Sequence, residues 1–199
     1  MVLSKRKPII LIHGLWNTSD IFSLITAKLD EIGIEYFAPT LEHKYGMKSI
    51  VELTNLLNDL IIEKYGYKKE LDILGFSMGG IIGRYWINKF NGYKRTRRFI
   101  TVGSPHKGTL ASQLVPKYPF RGISEMKINS HLLRELSKSD YLLNGIECIS
   151  FFTYWDLMVF PGWKASLNSG EKISLKIYKH KNLIRNPNAV GKIIEKLLK

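Results

Sequence analysis

Ser77 stands in the run Gly75-Phe76-Ser77-Met78-Gly79-Gly80, with a glycine two residues to either side. In that spacing a serine fits a sharp turn between a strand and a helix, because the flanking residues lack the side chains that would stop the backbones passing closely. Such a turn lifts the hydroxyl to a helix N-terminus, where partial positive charge favours an oxyanion. The chemistry this suits is attack on an acyl carbon. It requires a base, an acid to orient that base, and two N–H donors for the oxygen of the tetrahedral intermediate.

The backbone N–H of Met78 is the expected first donor. Ile12-His13-Gly14-Leu15-Trp16 closes an early apolar run and offers the second, with Leu15 as the expected donor and Trp16 as the alternative. His13 reads as a histidine that fixes this loop. A serine in a strand–turn–helix elbow is followed in the chain by the acid and then the histidine, and sites on open parallel sheets form at the carboxyl ends of strands. After the strand-like Cys148–Thr153 comes Asp156, the one well-placed carboxylate, since Glu171 precedes a strand and Glu195 lies in the last helix. His180, 24 residues on, follows the last strand and is the expected base. His106 comes too early in chain order, and His43 and His131 lie outside strand ends. Trp16, Leu110, Trp155 and Phe160 are the expected lining of an acyl pocket, for aliphatic and aromatic side chains suit an acyl chain.

Alternating strands and amphipathic helices must position these residues. Strands are expected at 8–12, 35–38, 71–76, 98–102, 148–153 and 173–178. Helices are expected at 19–32, 49–65, 78–90, 126–137 and 188–198, several of them ended by glycine. That alternation predicts an α/β fold of about six mainly parallel strands with helices on both faces. The chain reads as one domain, 1–199, in which 104–147 breaks the rhythm as a lid-like or cap-like insertion over the site.

The elbow, the His13-Gly14 pair, the run Thr101-Val102-Gly103-Ser104-Pro105-His106-Lys107-Gly108-Thr109 and the segment Ser130-His131-Leu132-Leu133-Arg134-Glu135-Leu136 resemble the compact bacterial lipase/esterase branch of the α/β-hydrolase superfamily. The resemblance runs from Pro8 to the C-terminus. It implies a minimal α/β-hydrolase fold, a Ser77–Asp156–His180 triad with an acyl-enzyme, and cleavage of carboxylic esters. Around His180 the family pattern carries Gly-His, and here Lys179 takes the glycine's place. Some larger relatives hold a structural calcium near the histidine. With Lys176, Lys179, Lys181 and Arg185 around His180, neither metal nor cofactor is expected here.

Composition narrows the alternatives. Hydrophobic residues make up 45% of the chain and charged residues 24%, which excludes a disordered chain. One cysteine, Cys148, excludes an internal disulfide and reads as a core residue. The N-terminal Met-Val-Leu-Ser-Lys-Arg-Lys-Pro lacks the apolar run of a secretory signal, so a cytoplasmic protein is expected. A net charge of +13, carried by 22 lysines and 8 arginines, raises peripheral contact with an anionic membrane. No motif supports nucleic-acid binding. Two other functions stand beside ester hydrolysis: an acyltransferase or lipid-remodelling enzyme using the same triad, and a non-catalytic binding module.

Overall fold

The apolar run Ile9–Ile12 forms β1 with every residue buried, as a central parallel strand between two helix layers must be. In this computed structural model, which describes residues 6–199, five more strands join it: Tyr36–Phe37 (β2), Leu71–Phe76 (β3), Thr96–Val102 (β4), Glu147–Phe152 (β5) and Glu171–Ser174 (β6). The order is β2-β1-β3-β4-β5-β6 and every neighbouring pair is parallel. Most of the charged N-terminal stretch read for a signal falls in residues 1–5, outside the described residues.

The helices between the strands are α1 (Ser23–Glu31), α2 (Ile50–Tyr65), α3 (Met78–Lys89), α4 (Arg121–Glu125) and α5 (His131–Lys138), and α6 (Asn182–Arg185) and α7 (Pro187–Leu198) follow β6. Alternate side chains of a strand point to opposite faces, and β1 shows the consequence. Ile10 and Ile12 pack with Leu57 of α2, Ile82 of α3 and Leu133 of α5, whereas Ile9 and Leu11 pack with Leu29 of α1 and Ile193 of α7. Each such residue, fully withdrawn from water, contributes about 1.5–3 kcal/mol.

The sheet's register brings its carboxyl ends level: Ile12 pairs with Gly75, Phe76 with Val102, Val102 with Phe151, and Phe152 with Ser174. Arg97 and Arg98, near the start of β4, lie toward the opposite end of the sheet, and their charges are used structurally. Arg98, 2% exposed, donates to Glu147 and to the Leu197 carbonyl, and Arg97 pairs with buried Asp72.

Element boundaries depart most from the expected ones in three places. The helix expected at 19–32 is a 3₁₀ turn, Ser19–Phe22, capped by Thr18, followed by α1. The helix expected at 126–137 starts only at His131, because Asn129 adopts a left-handed φ of 60° and Ser130 caps the new start by accepting from the Leu133 N–H. The last strand spans 171–174 rather than 173–178. Its neighbour β5 ends at Phe152, and the chain beyond is tied instead by Thr153, whose hydroxyl donates to the Ile177 carbonyl at 2.8 Å. The stretch 104–147, from the loop after β4 to the first residue of β5, packs into the main core through Ile123, Leu132, Leu136 and Leu143. Among the described residues no helix is long and apolar enough to cross a membrane.

Candidate active site

Ser77 joins β3 to α3 with φ 54° and ψ −125°, a conformation an L-residue holds only when its surroundings impose it. The surroundings are backbone. A Cβ on Gly75 would lie 2.5 Å from the Gly80 Cα, and one on Gly79 would lie 2.0 Å from the Ile12 carbonyl oxygen. Only glycine permits these approaches, which is the physical content of the motif. The Ser77 N–H donates to the Val102 carbonyl at 2.9 Å, fixing the turn to β4. The side chain is half-buried at the N-terminus of a twelve-residue helix.

Beside it runs the loop after β1. A Cβ on Gly14 would stand 2.7 Å from the Ser77 Cβ, so the loop passes directly against the serine. Two histidines hold it. His13 Nε2 accepts the Leu41 N–H at 2.8 Å, leaving Nδ1 to donate to the Gly14 carbonyl at 2.9 Å. His43 Nε2 accepts the Trp16 N–H at 2.9 Å. The rings meet edge to face with centroids 6.1 Å apart. Burial lowers the proton affinity of both histidines and so keeps them acceptors. Trp16 is held at φ 59°. With its N–H already bonded to His43, Trp16 is not available as an oxyanion donor, whereas the Leu15 and Met78 N–H groups make no hydrogen bond outside the regular elements among the described residues. The sequence sets His43 aside as a base because it lies outside strand ends, and across the 27 residues that separate it from Trp16 no motif announces this contact.

Asp156 follows β5 and is 1% exposed. Its Oδ1 accepts the N–H groups of Met158 at 2.9 Å and Val159 at 3.0 Å, and its Oδ2 lies 2.6 Å from His180 Nδ1. The carboxylate is thus satisfied by donors on both oxygens. His180 follows β6, its ring against Phe76 with centroids 4.9 Å apart and against Gly103, where a Cβ would come within 2.9 Å of Cε1. Its Nε2 is buried and makes no hydrogen bond among the described residues. Lys179, at the position of the family's glycine, has φ 69°, so the backbone keeps the left-handed turn that glycine would adopt without strain.

Ser77 and His180 line one cavity of about 240 Å³. Leu15, Val115, Ile123, Met126 and Val159 give it an apolar wall, and Ala111, Val115, Ile123 and Met126 come from the stretch between β4 and β5. Of the residues expected to line an acyl pocket, Trp16 does so. Leu110, Trp155 and Phe160 do not: they stand exposed beside the opening. The reason is local backbone bonding. Thr109 Oγ1 accepts the Phe160 N–H, and the Leu110 N–H donates to the Phe160 carbonyl, which fixes these two residues on the rim. A wider cleft of about 690 Å³ adjoins the cavity through Trp16, Asn17 and Lys181, and is lined by Asp20, Glu42, His43 and Arg185 among others.

His106 is buried away from this cavity, against Phe99. Desolvation, with Arg84 and Lys107 nearby, holds its proton affinity well below the ordinary value. Cys148 is a buried free thiol, pushed up to about 12 by desolvation. Among the described residues no group of three His, Cys, Asp or Glu could hold a metal ion.

A family model described as palmitoyl protein thioesterase matches residues 8–155. The matched span holds Leu15, Ser77 and Met78 and ends one residue before Asp156. Similar solved structures include Aspergillus fumigatus lipase B, 15% identical over 98% of this chain and 53% of that one, with a TM-score of 0.76. The lin2722 gene product of Listeria innocua is 15% identical over 98% and 94%, with a TM-score of 0.74. Mature Bacillus licheniformis lipase BlEst2 is 14% identical over 98% and 93%, with a TM-score of 0.71. The chain spans about half the length of the fungal lipase. These likenesses are of fold, and the fold is that of the α/β-hydrolases. No curated protein matches the sequence.

Proposed function

The chain belongs to the palmitoyl protein thioesterase family, and from that premise we propose that it hydrolyses acyl esters and thioesters with Ser77 as nucleophile, His180 as base and Asp156 as the partner that orients the base. The observation that carries this reading is the 2.6 Å contact of Asp156 Oδ2 with His180 Nδ1, on a histidine that lines the same cavity as Ser77. With Nδ1–H donated to Asp156, Nε2 is the ring atom left to take a proton.

In the proposed reaction the Ser77 Oγ attacks the acyl carbon while its proton passes to His180 Nε2. The carbonyl oxygen becomes an oxyanion and receives the Met78 and Leu15 N–H groups. Asp156 does not take the proton. It fixes the imidazole tautomer and stabilises the imidazolium. Collapse of the intermediate returns the proton from His180 to the leaving alkoxide or thiolate, and a water activated by the same histidine then releases the acid from Ser77. The apolar wall of Val115, Ile123 and Met126 suits the acyl chain, and the wider polar cleft suits the leaving group.

A fluorophosphonate probe should label the chain and fail to label Ser77→Ala. A panel of short- and long-chain oxygen esters and thioesters should then yield free acid. Product transferred to an added alcohol, with little free acid, would favour acyl transfer on the same residues. Absence of both labelling and turnover would leave a binding module and reject the proposal.

A further inference from the structure

The mouth of the cavity exposes apolar surface that the proposed chemistry does not use. Leu114 is 94% exposed, Leu157 82% and Trp155 62%, with Leu110, Phe160 and Trp163 each at 47%. None of the six lines the cavity. They lie on two segments stitched together by Thr109, which donates to the Met158 carbonyl and accepts from the Phe160 N–H, and by the Leu110–Phe160 backbone bond. The same segments supply Ala111, Val115, Met158 and Val159 to the cavity wall, so the apolar rim and the opening to Ser77 share one face. Single exposed apolar residues are ordinary, but a cluster around an opening marks an interaction surface.

Charge identifies the partner. Residues 104–124 carry Lys107, Lys117 and Arg121 and no carboxylate. Residues 157–170 carry Lys164 and no carboxylate. Residues 172–194 carry five lysines and Arg185 and no carboxylate. Among the described residues none of these cations makes an ion pair, whereas Arg84, Arg97 and Arg98 elsewhere are each paired. Lys107 and Lys164 both sit over the Trp163 ring, which joins the basic and apolar parts of the rim. A second copy of this chain would set lysines against lysines on such a face. An anionic lipid surface complements both features at once, with acyl chains for the leucines and tryptophans and phosphates for the lysines.

We propose that this rim docks on anionic bilayers, with Leu114, Leu157 and Trp155 entering the headgroup–acyl boundary and the cavity opening toward the lipid. An acyl chain could then pass from bilayer to cavity without crossing water.

Three of the four tryptophans, Trp16, Trp155 and Trp163, are exposed on this side, and Trp86 is buried, so intrinsic fluorescence reports docking. Vesicles of phosphatidylcholine mixed with phosphatidylglycerol should shift the emission to the blue and sediment the protein, and phosphatidylcholine alone should not. Binding should fall as salt rises, since screening acts over about 8 Å at physiological ionic strength. The double variant Leu114→Asn/Leu157→Asn should partition roughly tenfold or more weakly at an unchanged melting temperature, and Lys117→Glu/Lys179→Glu should lose the preference for anionic lipid. The Ser77→Ala chain should bind as the parent does, so docking and hydrolysis fail separately. Indifference to anionic vesicles at low salt, equal binding to neutral vesicles, or undiminished binding by the leucine variant would each overturn the proposal. So would a lipid-free dimer that the leucine variant abolishes, since the face would then belong to a second copy.

Discussion

His43 meets neither Ser77 nor the apolar wall of the cavity, yet it accepts the N–H of the residue after Leu15, the proposed oxyanion donor, at 2.9 Å. Trp16 is held there at φ 59°, a conformation that costs an L-residue on the order of 1–3 kcal/mol. A hydrogen bond of this kind contributes about 0.5–1.5 kcal/mol, comparable to the strain it opposes. In His43→Ala the loop therefore leaves its position for a substantial share of the time, and the Leu15 N–H leaves with it. Outright removal of one oxyanion donor costs about 10²–10³ in kcat, so a displaced donor should cost roughly ten- to a hundredfold. KM should stay within about threefold of the parent, because the interaction lost is made in the transition state and not in the bound ester. His43→Gln offers an amide oxygen to the same N–H and should recover most of kcat. Steady-state kinetics on a water-soluble short-chain aryl ester measure the split. A kcat for His43→Ala within twofold of the parent, or His43→Gln no better than alanine, would refute the positioning argument.

Asp156→Asn and His180→Ala should each lose several orders of magnitude in kcat with the same ester, whereas His106→Ala, which removes a ring outside the cavity, should lose far less. Equal loss on His106→Ala would remove His180 from its proposed role. Gly103→Ala would place a Cβ 2.9 Å from His180 Cε1 and 2.9 Å from Leu183 Cδ1 at a backbone φ of +57°. It should lower kcat at least tenfold, on the order expected for about an ångström's misplacement of a catalytic group, and full activity would show that the ring has room to shift. Stability should be flat between about pH 6.5 and 8 and fall below it, because His13, His43 and His106 all bind protons less readily folded than unfolded. For His106 alone the slope reaches up to about 1.4 kcal/mol per pH unit, against which the raised proton affinity of Glu125 acts with opposite sign. Urea midpoints at neutral and mildly acidic pH decide it, and a midpoint unchanged or higher in acid would contradict the reading.

What the sequence discloses follows from how strongly geometry constrains residue type. The elbow is legible because backbone packs on backbone at Gly75 and Gly79, and only one residue type fits. The four inner strands, β1, β3, β4 and β5, are legible because burial on both faces leaves near-continuous apolar runs. Asp156 and His180 are expected from chain order and from their places after strands, and the structure brings them to 2.6 Å. Leu110, Trp155 and Phe160 illustrate the opposite case. Their side chains suit a pocket and a rim equally well, and for Leu110 and Phe160 the choice is made by their backbone bond to each other and by Thr109, which residue type does not announce. His43 was illegible for a similar reason: any acceptor near Trp16 would serve, and the chain brings this one from a distant loop.

The proposed groups come from the ends of separate strands: the Leu15 loop follows β1, Ser77 follows β3, Asp156 β5 and His180 β6. Their relative placement is therefore inherited from sheet register, with one weak member. β6 is a four-residue edge strand, largely exposed, and it ends six residues before the histidine. Three contacts replace the missing ladder: the Thr153 hydroxyl on the Ile177 carbonyl, the Phe76 ring under the imidazole and the Asp156 carboxylate on Nδ1. Two of these come from β5 and its loop, so β5 carries the acid and also secures the base. A disturbance of β5 should accordingly displace acid and base together, leaving Ser77 in its elbow on β3, because the two halves of the site rest on different strands.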